Sequence, residues 1–146
     1  MKLIKDKLTD LENRSRRNNL RFDGIPEDKD EDWAVSEAKI KKVINENLGM
    51  NEDIEIDRAH ISGKIEWNGK NRVIIARFTS FKAKETILKN SNKLKNTGFY
   101  INEDYAEETQ KLRAALVPEM KRLRAEGKFA IIKFDKLIVK EWAKKD

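Results

Sequence analysis

Arginine is the residue through which this sequence could do chemistry. Residues 14–22 carry Arg14, Arg16, Arg17 and Arg21 with no acid among them. A guanidinium is planar and always charged, and its fork of donors fits a phosphate and stacks on a base. A second run, residues 111–128, sets Lys111, Arg113, Lys121, Arg122, Arg124 and Lys128 against Glu119 and Glu126. Taken alone, this second run reads as a solvated helix face. Between the two, residues 24–59 hold eleven acids against five bases, so charge is segregated along the chain. The formal net charge is +6 and the pI about 9.4, a balance that favours polyanionic partners.

Other chemistries find little support. His60 is the only histidine and there is no cysteine, which excludes disulfides, thiol catalysis and cysteine-held zinc. Flanked by Ala59 and Ile61, His60 reads as a strand residue. No Gly-x-Ser-x-Gly, phosphate loop or Gly-x-Gly-x-x-Gly occurs. The acids Asp28, Asp30, Glu31 and Asp32 lack the glycine and distal glutamate of a calcium loop. They suit a loop entering a helix N-terminus instead. The expectation is no catalytic residue, no metal and no cofactor. No apolar run approaches the ~20 residues of a membrane span, so no membrane is expected as a partner. No signal-peptide pattern opens the chain. Because a charged helical pattern starts at Met1 itself, the sequence reads as a piece of something longer.

The elements that must position these arginines follow from periodicity. Met1, Ile4, Leu8 and Leu11 repeat at the 3-4-3 spacing of a coiled-coil seam, with charged residues between. The seam stops at Ser15 and Asn18, which makes residues 1–18 a coil end, with a helix packed on its own domain as the alternative. Strands are expected at Asn19–Ile25, around Ile54, Ile56, Ala59 and Ile61, at Arg72–Phe78, and at Phe99–Ile101. A loop with Gly63 and Gly69 joins the second and third. Helices are expected from Trp33 to Leu48, closed by Gly49, and over Phe81–Leu94. This order matches a ferredoxin-like βαββαβ domain over residues 19–103, with one sheet face left open. Residues 104–146 then hold a long helix, Glu103–Glu126, which Pro118 should kink or divide. A hairpin follows, Phe129–Phe134 and Leu137–Val139 about an Asp135-Lys136 turn, on which Trp142 could pack. The class is α+β.

That architecture is the RNA-recognition motif, whose central strands usually carry base-stacking aromatics. Here the third strand has Val73, Ile74, Ile75 and Ala76. Phe22 on the first strand is the one candidate, and it reads equally as core. Stacking on the sheet is therefore not expected. Arg77 alternates with Ile74, Ala76 and Phe78, so it should face the open side if they face the helices. Arg72 has the other parity and should reach out from the start of the strand.

Residues 12–27 (Glu-Asn-Arg-Ser-Arg-Arg-Asn-Asn-Leu-Arg-Phe-Asp-Gly-Ile-Pro-Glu) resemble the coil-to-domain junction of the first-open-reading-frame protein of L-one-type LINE retrotransposons, the transposase-22 family. Residues 55–60, Asn71–Phe78, Ile101–Thr109 and Lys136-Leu137 continue the likeness in order. The resemblance implies a coiled-coil homotrimer, here through Ile4, Leu8 and Leu11, a noncanonical RNA-recognition motif and a small C-terminal domain. It implies sequence-independent binding of single-stranded RNA and DNA, nucleic-acid chaperone activity, and a ribonucleoprotein particle in the cytoplasm, with the nucleus as an alternative location. Family contact positions fall on Arg17, Arg21, Arg72, Arg77, Lys89 and Arg113. The competing class is a coiled-coil protein-interaction module that binds no nucleic acid.

Overall fold

The computed structural model describes residues 2–63 and 71–141. Met1, the Gly69 side of the predicted loop and the packing of Trp142 lie outside the described residues. The protein is mixed α+β, with an N-terminal helix and antiparallel sheets. It divides into two compact units, Arg14–Asp104 on the one hand, and residues up to Asn13 with Tyr105 onward on the other.

In the first unit, β1 (Asn19–Asp23), β2 (Ile56–Ser62), β3 (Val73–Phe78) and β4 (Tyr100–Glu103) form one antiparallel sheet in the order β2-β3-β1-β4. Helices α2 (Trp33–Lys42) and α3 (Phe81–Lys89) join β1 to β2 and β3 to β4. Period-2 alternation decides which face they cover. Leu20 and Phe22 of β1, Ile74, Ala76 and Phe78 of β3, Ala59 of β2 and Ile101 of β4 share one core with Ile40 and Ile87 of the helices. Phe22 packs on Phe78 with ring centres 6.3 Å apart, so Phe22 is core and not a base platform. Truncating a buried phenylalanine of this kind costs about 3–5 kcal/mol.

Local chemistry sets the boundaries. Asp32 caps α2 by accepting from the Val35 N–H at 3.0 Å. Trp33 is 65% exposed, against its expected place on the apolar stripe; burial begins at Ser36 and Ile40. After Lys42 the chain makes one π turn, in which the Leu48 N–H reaches the Val43 carbonyl at 3.2 Å. The wider turn keeps Val43, Ile44 and Leu48 all buried. Ser80 caps α3, which stops at Lys89; a 3₁₀ turn, Ser91–Leu94, finishes the predicted helix. β1 ends one residue before Gly24. There φ is +87°, and a Cβ would lie 2.0 Å from the Gly98 carbonyl oxygen, so only glycine lets the two segments cross.

The second unit holds α4 (Glu107–Ala125) and a hairpin of β5 (Phe129–Lys133) with β6 (Lys136–Lys140). Helix α4 runs unbroken through Pro118, not divided there. Ala114 and Pro118 are both exposed, so the carbonyl that proline cannot reach is open to water. Leu123 and Ala130 are buried between helix and hairpin, whereas Leu112, expected on the apolar stripe, is half exposed. Lys133 pairs with Lys136, which places the turn at Phe134-Asp135, one residue earlier than the sequence suggested. Phe134 takes φ +57°, the sign that tight hairpin turns favour.

The first helix, α1 (Lys2–Ser15), buries none of its residues. Its polar side is what the second unit holds. The Asn13 amide donates to the Thr109 hydroxyl at 2.9 Å and accepts from the Ala106 N–H at 2.8 Å. Ala106 is the N-cap of α4 and has no side-chain cap of its own, so Asn13 supplies that cap from another helix. At about 100° per residue, Asn13 projects about 200° around from Leu11. The seam therefore turns outward, with Ile4, Leu8 and Leu11 exposed by 58%, 61% and 59%.

Candidate nucleic-acid interface

The sheet face away from α2 and α3 carries the residues of opposite parity to the core. Register places them in rows. His60, Ile75, Arg21 and Asn102 stand directly across all four strands. The next row is Arg58, Arg77 and Asn19. At the other end of β4, Tyr100 stands opposite Asp23. Tyr100 is 64% exposed, because its neighbours Phe99 and Ile101 are the ones packed into the core.

One acid organises the arginine end of this face. The Asp104 side chain is only 1% exposed. Its Oδ1 lies 3.1 Å from Nη1 of Arg16 and 3.8 Å from Nη1 of Arg21, and Oδ2 accepts from Asn19 Nδ2 at 3.0 Å. A buried carboxylate needs such partners, and each arginine side chain remains 31% exposed. Drawing its amide nitrogen to Asp104 leaves Asn19 Oδ1 buried without a hydrogen bond.

The six positions that the resemblance singles out do not all converge. Arg21 and Arg77 share the open face. Arg17 sits in the turn between α1 and β1, its guanidinium 4.5 Å from the centre of the Phe81 ring, a cation–π contact. Lys89 is exposed in the last turn of α3, on the helical layer and not on the open sheet. Arg72 is engaged internally. Its Nε and Nη2 meet the two oxygens of Glu27 at 3.0 and 2.7 Å, and Nη1 donates to the Gly63 carbonyl at 3.0 Å. The hydrogen bond from Arg72 holds the Glu27 carboxyl below its ordinary value. Arg113 belongs to the second unit. Its guanidinium lies 4.7 Å over the Tyr105 ring and donates to the Phe134 carbonyl at 2.6 Å, while Phe134 packs edge-on against Tyr105. This contact secures the positive-φ turn.

The acidic loop is a structural clip. Lys39 pairs with Glu31 and with Asp28 at 3.2 Å, and donates to the Pro26 carbonyl at 2.7 Å. Burial pushes Glu31 upward, but the Asp28 N–H, the Lys39 ammonium and the Ser36 hydroxyl outweigh it and lower its pKa. Among the described residues no group of three or more His, Asp or Glu could hold a metal ion, and no helix is long and apolar enough to cross a membrane.

Sequence reasoning missed Asp104, Arg58, Tyr100 and Asn13. Tyr100 was legible from the alternation of Phe99 and Ile101. The other three act through pairings across long separations, which local pattern does not carry. No family model and no curated protein matches the chain.

Proposed function

We propose that this protein binds single-stranded RNA and DNA on the open face of its four-stranded sheet, with little sequence preference, and that copies join through the α1 seam. The observation that carries the reading is the convergence of Arg21 and Arg77, from adjacent strands, on the sheet face opposite the core that α2 and α3 share with the strands. Phosphate contacts of this kind position a strand without reading it. The finer fold reading is the noncanonical RNA-recognition motif. It is supported by the element order β1-α2-β2-β3-α3-β4 and the strand order β2-β3-β1-β4. Tyr100 offers one exposed ring to a base. The resemblance to the LINE first-open-reading-frame family adds chaperone activity, a homotrimer and a retrotransposon ribonucleoprotein particle. An outward apolar seam supports self-association, since a helix otherwise turns such a stripe toward its own core.

The test is a titration of labelled mixed-sequence single strands in a salt series. Affinity should fall with salt at a slope near −0.7 per phosphate neutralised. Unrelated strands of equal length should agree within about tenfold. Arg77→Ala should weaken binding and flatten the slope with the fold intact. No binding at low salt, or a hundredfold preference for one sequence, would overturn the proposal.

A further inference from the structure

Arg58 of β2 stands directly opposite Arg77 of β3. Directly opposed residues on antiparallel strands have their Cβ atoms about 4.5–5.5 Å apart, and like charges there destabilise the sheet. The pair is made by a register shift. Ile56 pairs with Phe78, and between Ile56 and Arg58 the register slips. Without that slip Asp57 would fall opposite Arg77, an attractive pair in a regular ladder. The bulge sets both Asp57 and Arg58 against Arg77, so a second arginine joins the loose Asp57–Arg77 contact. Bulges are often found where a side chain is re-aimed beside a functional site.

Little in the surroundings relieves the repulsion. Asp57 keeps a loose contact, its Oδ2 3.9 Å from Arg77 Nε, and is itself 60% exposed. On its other side Arg77 faces Asn19, which is neutral. Arg58 is exposed and makes no ion pair among the described residues. Register thus brings two arginines to one cross-strand position on this face, and the loosely placed Asp57 is the one acid paired with Arg77 among the described residues.

We infer that Arg58 and Arg77 form a phosphate clamp, which brackets one phosphodiester of a bound single strand. The inference rests on the nucleic-acid reading above and specifies the chemistry of its central contact. An oxyanion between the two guanidinium groups turns their repulsion into two charge-assisted contacts. The sheet then trades stability for binding, as functional sites do.

The test uses the whole chain with Arg58→Gln and Arg58→Lys, read by strand affinity, salt slope and thermal melting. Arg58→Gln should weaken binding of a mixed-sequence single strand by about fivefold or more and reduce the salt slope by about 0.7. Its melting temperature should stay level or rise by about 2 °C, because a like-charge pair has been removed. Arg58→Lys should melt like the parent and recover part of the affinity, since charge returns without the planar fork. Unchanged affinity in Arg58→Gln would overturn the clamp while leaving strand binding intact. So would a lowered melting temperature, which would mark Arg58 as a structural contact. If the parent chain binds no strand, the functional reading fails, and pyrophosphate alone tests the clamp. Millimolar pyrophosphate should raise the melting temperature of the parent more than that of Arg58→Gln; equal shifts would overturn it.

Discussion

Tyr100 gives the sharpest test of whether bases, and not only phosphates, meet the sheet. Its ring is 64% exposed and stands opposite Asp23 on the face that carries Arg21. Arg21 lies on the diagonal from Tyr100, within reach of a long side chain, so a base on the ring would place its backbone near a guanidinium. Base–aromatic stacking is worth about 1–3 kcal/mol per base. Here one ring face is on offer, and no second Phe, Tyr or Trp stands on that sheet face among the described residues. The low end, about 1 kcal/mol or a factor of about five, is therefore the expected loss for Tyr100→Leu. An exposed side chain changes stability by no more than about 0.5 kcal/mol, so the melting temperature should hold. The assay compares an ordinary single strand with an abasic strand of the same length by fluorescence anisotropy. Tyr100→Leu should lose about fivefold on the first and nothing on the second, and Tyr100→Phe should keep both. Equal losses on the two strands, or no loss on either, would refute the stacking argument.

The remaining expectations concern assembly, anchoring and acid. Leu8→Asp with Leu11→Asp should abolish self-association in sedimentation, because a seam charge would be buried without a partner. The same pair should lower affinity for long RNA far more than for short RNA, through lost avidity; equal losses would remove the trimer argument. Asp104→Ala should cost about 1–3 kcal/mol in chemical denaturation, since Arg16 and Asn19 lose a buried acceptor while the part-exposed arginines can turn to water. A cost below about 1 kcal/mol would show that the arginines stand without it. Glu27 and Glu31 have lowered pKa values from an ordinary 4.5. Their contribution is present above pH 4.5 and lost as pH falls through the folded-state values, because the unfolded chain binds more protons there. Melting temperature should fall with acid in that window, and less steeply in Glu31→Gln. A parallel pH profile in the variant would sink that assignment.

The sequence by itself determined the alternation of core and surface. Leu20 and Phe22, then Ile74, Ala76 and Phe78, alternate with a period of two, and that period set Arg77 opposite its apolar neighbours before any pairing was known, while the side taken by Phe22, and with it Arg21, stayed open until the strands were paired. The same logic found the helices, the α1 seam and the turn glycine Gly49. What it could not reach depends on contacts between distant segments. The Ile56-to-Ala59 spacing breaks the alternation, and only the pairing with β3 reveals the bulge that sets Arg58 against Arg77. Arg72 carries the same charge as Arg77, yet Glu27, 45 residues away, neutralises it. Asp104 is one acid among 26 acidic residues until the ends of β1 and β4 meet around it. An amphipathic stripe likewise states that α1 must bury an apolar face somewhere. Only the two hydrogen bonds of Asn13 decide that its polar side is the one held, because a cap at a helix terminus is directional while hydrophobic attraction is not.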